Sequence, residues 1–340
     1  MKPFESHNKQ LKILRRRGME VPSSAKRDLE NENYYNIING YKDLFLELDV
    51  NGNFLVPDKY KQGTHFKEVF SLYKLDRKFR NVLLEYLLVF ETHIKSRISY
   101  YFSEKYREPH SYLYFKNYSS DTSKTDSIVK MVATFSSVMS NRKNKPLKHY
   151  INTHNGVPLW ILVNYLTLGN VSKMYSNLDD DLRLEVAKDY KRKLERDYKT
   201  RVQITPSDVD SILQQAHMFC NVCAHEERLY DYKIDRAKSR ANIFANYNKI
   251  YDKEYVPTMN GSYVFDLLIS LCLFLNKHDY IKLMKNMDKL ISNYSHSFYT
   301  ITIDDLYTKM NFPDQTKYWI CYKRYFLMSL TSDVVCILRR

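Results

Sequence analysis

From Phe66 onward this 340-residue chain repeats apolar side chains at steps of three and four. Phe70, Leu72, Tyr73 and Phe79 lead into Val82, Leu83, Tyr86, Leu87, Phe90, Ile94, Ile98 and Tyr101. That spacing lines one side of a 3.6-residue turn and suits no strand, so it predicts the longest helix region of the chain. Its polar side should carry Arg77, Arg80, Glu85, Glu91, Lys95 and Arg97. The whole chain holds only 7 glycines and 9 prolines, too few punctuation residues for a turn-rich β protein. The pattern therefore specifies an all-α fold.

The remaining segments read the same way. Lys9–Arg17 forms a basic helix stopped by Gly18, and Asn33–Tyr41 a short one ended by Gly40. Asn51-Gly52 is a turn signal and Pro57 a breaker. A polar stretch, Ser119–Lys124, precedes a helix to Met139. Arg142–Lys148 reads as a basic loop. Pro158 opens an apolar helix, Leu159–Leu168, which Gly169 should end; Val171–Leu178 follows. Asp189–Arg201 is so charged that it predicts an exposed helix or a spacer. The C-terminal third is helical around Phe265–Tyr294. Three segments result: an N-terminal helical part (1–60), a core (61–240) and a C-terminal extension (241–340), or one continuous domain.

Composition narrows the partners. With 53 Lys and Arg against 39 Asp and Glu, the net charge is +14. Such an excess suits a polyanion, because each neutralised phosphate releases counterions; an AT-rich genome would also enrich Lys, Asn and Tyr. The 30 tyrosines fill cores and can also stack on bases. No apolar leader follows Met1–Asn8. The longest apolar run, Val264–Leu275, contains Asp266 and is too short to span a bilayer. The 5 cysteines, odd in number and irregularly spaced, predict reduced thiols and a cytoplasmic protein.

Chemistry concentrates in Phe219-Cys220-Asn221-Val222-Cys223-Ala224-His225-Glu226-Glu227-Arg228-Leu229-Tyr230. The helix leading to it starts on a clear signal: Thr205 to cap, Pro206 in the first turn, and Asp208 three residues on. Val209, Ile212, Leu213, Ala216, Phe219, Cys220 and Cys223 then form an apolar stripe, and Gln214, His217, Asn221 and His225 a polar ridge. Metal-free RNA cleavage needs proton transfer at the 2′-OH and the leaving oxygen, and a cation for the phosphorane. Histidine suits the first task and arginine or lysine the second. His225 is thus an acid or base with Asn221 as its positioner, or else merely a helix-end cap with Asn221 bonded locally. His217, Cys220, Cys223 and His225 point in different directions around a helix and cannot converge on one zinc ion. No nucleotide-binding or serine-hydrolase motif occurs, and no cofactor is expected.

A series of blocks stands in order along the chain. It runs Lys2-Pro3-Phe4, Gln10, Arg17-Gly18, Asn33-Tyr34-Tyr35, Gly40-Tyr41, Phe45, Phe66, Leu72-Tyr73, Asp76-Arg77 and Glu91–Tyr101. It continues through Val157-Pro158-Leu159-Trp160, Leu168-Gly169, Ser172-Lys173 and Asn221–Tyr230. On these blocks the chain resembles the bacterial abortive-infection proteins of the Abi type (the AbiD/AbiF-like family), helical relatives of the HEPN ribonucleases. The resemblance implies an HEPN-like helical bundle with additional N- and C-terminal helices, a phage-defence role that halts or kills the infected cell, and a metal-independent endoribonuclease.

The HEPN signature is Arg, then four to six residues, then His, with a polar residue directly after the Arg. Asn221 and His225 match it, and Cys220 occupies the Arg position. A thiol supplies neither the charge nor the bidentate phosphate contact of a guanidinium. Losing such a contact costs about 2.7–4 kcal/mol of transition-state stabilisation, or roughly 10²–10³ in rate. Either Arg228, or Lys95 and Arg97, replaces the charge; or the enzyme is disarmed; or the chain is a non-catalytic RNA-binding or phage-sensing module, or one that binds protein. Arg228, Lys95, Arg97 and Arg77, with Tyr230, are the residues expected to bind RNA, whether substrate or regulatory. Arg142 and His149 also fit the spacing, without the polar neighbour. Because HEPN nucleases pair two motifs, the resemblance further implies a homodimer.

Overall fold

The computed structural model describes residues 4–141, 145–154, 156–251 and 262–313. Arg142, the Lys2-Pro3 block and residues 314–340 of the expected C-terminal extension lie outside them. The described residues form thirteen α-helices and short 3₁₀ or π turns, with isolated bridges and no β-strand. The all-α expectation holds. In chain order the helices are α1 (His7–Arg16), α2 (Ala25–Glu32), α3 (Phe66–Lys105), α4 (Thr125–Ser140), α5 (Lys145–His154), α6 (Leu159–Leu162) and α7 (Leu168–Asn177). They continue with α8 (Asp180–Tyr198), α9 (Pro206–Ala224), α10 (Ala241–Tyr251), α11 (Val264–Phe274), α12 (Lys277–Ser295) and α13 (Ile303–Lys309). The 40-residue α3 carries the long apolar stripe that begins at Phe66. The described residues divide into two compact units, each discontinuous in sequence: those up to 83, 222–232 and those from 282 on make the first, and those within 84–221 and 233–281 the second.

In the first unit α1 packs against α2, and Glu32 at the end of α2 accepts from Tyr73 and Arg77 in the N-terminal half of α3. Gly18 stops α1 by adopting φ +93°, a left-handed conformation open to glycine. Leu14, Ile37, Ile38, Phe45, Val69, Leu72, Leu75, Phe79 and Leu83 are buried. The Asn33–Tyr41 segment is helical, with a π turn at Tyr35–Asn39 that is wider than an ordinary α turn. Arg80 departs from expectation. It is 1% exposed, inside the core rather than on the polar side of α3, because a buried acid at Asp76 sits one turn before it. Farther along, Glu68 caps a distant turn by accepting from the backbone N–H groups of Tyr299 (2.6 Å) and Thr300 (2.8 Å).

The second unit surrounds α11, in which every residue from Val264 to Phe274 is buried. Its one carboxylate, Asp266, pairs with Arg240 at 3.0 Å and accepts from the Tyr263 N–H at 2.8 Å. At the other end the buried Lys193 donates to the Leu275 carbonyl, a basic cap on the negative end of a helix. Burial lowers the Lys193 pKa to about 8. Two expectations are corrected here. Asp189–Arg201 is neither an exposed helix nor a spacer: it forms the end of α8, and Tyr190, Lys193, Leu194 and Tyr198 are buried. Gly169 does not end a helix. The helix from Pro158 stops at Leu162, and α7 starts at Leu168 with Thr167 accepting from the Asn170 N–H at 3.2 Å. A Cβ at Gly169 would lie 2.9 Å from the His217 ring, so glycine lets the start of α7 close on α9.

Candidate functional site

Helix α9 begins as its sequence predicts. The Asp208 carboxylate accepts from the Thr205 N–H (2.8 Å), and Thr205 Oγ1 accepts from the Asp208 N–H (3.2 Å), a reciprocal capping box. Val209, Ile212, Leu213, Ala216, Phe219 and Cys223 form the buried stripe, joined by Val222, whereas Cys220 is only part-buried. Along the polar ridge Gln214 donates to the Arg236 carbonyl (3.0 Å) and accepts from the Lys238 N–H (2.7 Å). His217 packs on Gly169, leaving Asn221 and His225 as the ridge's exposed end.

The helix then closes on an unusual residue. Glu226 takes φ +56°, a left-handed conformation normally given to glycine, and the Glu227 N–H donates to the Val222 carbonyl at 3.0 Å. His225 is thereby held at the cap, one turn beyond Asn221, with both side chains in solvent.

The loop after this cap is fixed from below, within the first unit. Asp76, 0% exposed, accepts from the backbone N–H groups of Leu229 (3.0 Å) and Tyr230 (2.8 Å), from the Tyr41 hydroxyl (2.7 Å) and from Arg80 (2.6 Å). Arg80 also donates to the Glu227 carbonyl at 3.0 Å. Burial pushes the Asp76 carboxyl up from the ordinary range, while Arg80, Tyr41 and the two amides favour its charged form. Helical periodicity alone does not reveal this network, although its signal is present in the sequence. Asp76 and Arg80 stand four residues apart among Leu72, Leu75, Phe79 and Leu83, on a stripe where charge has to be paired.

The expected RNA-binding residues are engaged with protein. Arg77 grips Glu32 with two bonds (2.8 and 2.6 Å), and Glu32 also accepts from the Tyr73 hydroxyl (2.6 Å). Arg97 pairs with Asp189 at 2.7 Å and lies over the Tyr190 ring. Arg228 donates to the Gly40 carbonyl (2.7 Å) and pairs with Asp43 (3.3 Å) and Asp231 (2.7 Å). Tyr230 is buried and stacked on Tyr41, so its ring serves packing. Lys95 pairs with Glu91 at 2.5 Å. The Cys220 thiol is pushed up to about 11, first by burial and then by the charge of that same Glu91. Lys95 and Cys220 therefore share a neighbourhood, and the thiol is neutral near pH 7. Among the described residues no group of three or more His, Cys, Asp or Glu could hold a metal ion.

The family model of the Abi-like proteins matches residues 27–231. The chain belongs to the Abi-like protein family. Membership supports a role in abortive infection, the defence of a bacterium against phage. The matched span takes in α3, the end of α9 and the Asp76-anchored loop. No curated protein and no solved structure gives a match. Among the described residues no helix is long and apolar enough to cross a membrane.

Proposed function

We propose that this Abi-like protein acts on RNA through an HEPN-type site at the end of α9, with cleavage weakened by Cys220. His225 transfers protons, Asn221 positions it, and position 220 is where the phosphorane charge would be met. The supporting observation is the exposure of Asn221 and His225, one turn apart, at a helix end whose following loop is pinned by Asp76 and Arg80. Among the cations considered, Lys95 is the one to supply the missing charge, since its partner Glu91 also acts on Cys220. Lys95 is paired with a carboxylate as Arg97 and Arg228 are, but only its partner also acts on position 220.

A second reading, a non-catalytic RNA-binding or phage-sensing module, draws on the neutral Cys220 thiol and on the paired state of Arg77, Arg97 and Arg228. The test compares the chain with Cys220→Arg and Cys220→Arg/His225→Ala on total RNA in EDTA, with product ends mapped. Cleavage gained with Cys220→Arg and lost with the added His225→Ala supports the nuclease; silence from all three with RNA binding retained supports the module. An HEPN site further calls for two copies of the motif, so the active form is a homodimer. Sedimentation as a monomer at micromolar concentration would remove that part.

A further inference from the structure

Within the second unit lies a cleft of about 610 Å³, lined by no residue of α9. One wall is the end of α3 and the loop after it, with residues 103 and 106–112; the other is the end of α5 and the entry to α6, with residues 150, 154 and 156–160. Tyr106, Tyr150 and Trp160 give it aromatic surface, Arg107 and His154 basic groups, and Glu108 a carboxylate.

Two of these residues are placed in a way that packing does not explain. Trp160 is 56% exposed, although its neighbours Leu159 and Leu162 in α6 are buried. An indole left in water forgoes the largest burial gain a side chain offers. Arg107 is exposed and makes no hydrogen bond or ion pair among the described residues, unlike Arg77, Arg97 and Arg228.

The two walls are also fixed against each other. His110 holds a left-handed backbone (φ +55°), and its Nε2 accepts from the Val157 N–H at 3.1 Å. A Cβ on Gly156 would come within 2.9 Å of that nitrogen, so this approach needs glycine. The buried Tyr112 hydroxyl donates to the Val157 carbonyl at 2.6 Å. These bonds hold one wall against the other, so the cleft exists before any ligand arrives.

The geometry points to this cleft as a seat for a short unpaired stretch of RNA, with bases against Trp160 and the tyrosines and phosphate on Arg107. Aromatic faces beside a free guanidinium recognise splayed bases; a duplex keeps its base faces stacked and hidden. The inference rests on the RNA-binding part of the proposed function and not on cleavage.

The test titrates the full chain into a labelled mixed-sequence single strand and into its duplex, following anisotropy. Trp160→Ala weakens single-strand binding about tenfold or more, and Trp160→Phe keeps most of it. Arg107→Ala weakens it too and lowers the slope of log affinity against log salt by about one. Duplex binding stays unchanged in all three variants. Because both side chains are exposed, melting temperatures should match that of the unaltered chain, which separates lost contact from lost fold. The inference is overturned if the chain binds no single-stranded RNA. It is equally overturned if Trp160→Ala and Arg107→Ala bind as tightly as the original. In the latter case the nuclease reading stands. Conversely, a cleft that binds RNA beside a Cys220→Arg form that cuts nothing removes only the nuclease.

Discussion

Replacing Asp76 by alanine should strike the anchored loop harder than any surface change. The carboxylate is fully buried and takes four donors between 2.6 and 3.0 Å. Removing it strands the Arg80 guanidinium, itself 1% exposed, and breaking one half of a buried pair costs about 3–5 kcal/mol. The Leu229 and Tyr230 amides lose acceptors as well, about 1–3 kcal/mol each when no water replaces them. The losses overlap, and the desolvation of the carboxylate itself is recovered, so about 4 kcal/mol is the expected net. Urea unfolding of the unaltered chain, Asp76→Ala, Arg80→Met and the double variant gives the cycle. The double variant should cost less than the sum of the single ones, since no charge remains unpaired. Amide hydrogen exchange adds a local readout, with the Leu229 and Tyr230 N–H groups losing protection in Asp76→Ala. A loss below about 1 kcal/mol with both amides still protected would refute the anchor.

Glu32 and Cys220 each lend themselves to a titration. The hydrogen bond from Arg77 holds the Glu32 carboxyl below its ordinary range, so its stabilisation is complete above the unfolded glutamate pKa and fades as pH falls through the lower folded value. Urea midpoints measured from neutral pH to about pH 3 should therefore fall less steeply in Glu32→Gln; an unchanged acid slope would dismiss the contribution. With its pKa near 11, Cys220 is about 0.1% thiolate at pH 8, against roughly a quarter for a free cysteine. Peptide-level mass spectrometry should show it alkylated on the order of a hundredfold more slowly than a free thiol, and faster in Glu91→Gln; alkylation at the free rate would contradict its placement.

Local signals carried much of the fold. The stripe along α3, the Gly18 stop and the Thr205–Asp208 box are all within one or two helical turns, so a sequence displays them whole. What escaped depends on partners far along the chain. Arg80 looked polar because its acceptors, the Glu227 carbonyl and the Asp76 network, only assemble on folding. Gly169 looked like a helix stop because His217, the residue that requires it, lies on another helix. The charge of Asp189–Arg201 hid the buried Tyr190, Lys193 and Leu194. For the candidate site, residue types and spacing were legible in Asn221 and His225. The engagement of Arg97 and Arg228 was not, since Asp189, Asp43 and the Gly40 carbonyl come from distant segments.

Asp76 and Arg80 grip the loop through its main-chain amides and one carbonyl, atoms every non-proline residue possesses. The scaffold is therefore blind to which side chains it displays nearby. Were the protein to act against its own host, as the resemblance implies, that blindness would separate two kinds of selection. Variants altered at His225, the proton-transfer residue of the proposed function, would keep their shape, escape proteolysis and accumulate to full abundance. A screen for survivors should thus recover abundant, well-folded proteins altered at exposed positions. Truncated or unstable ones should be the minority.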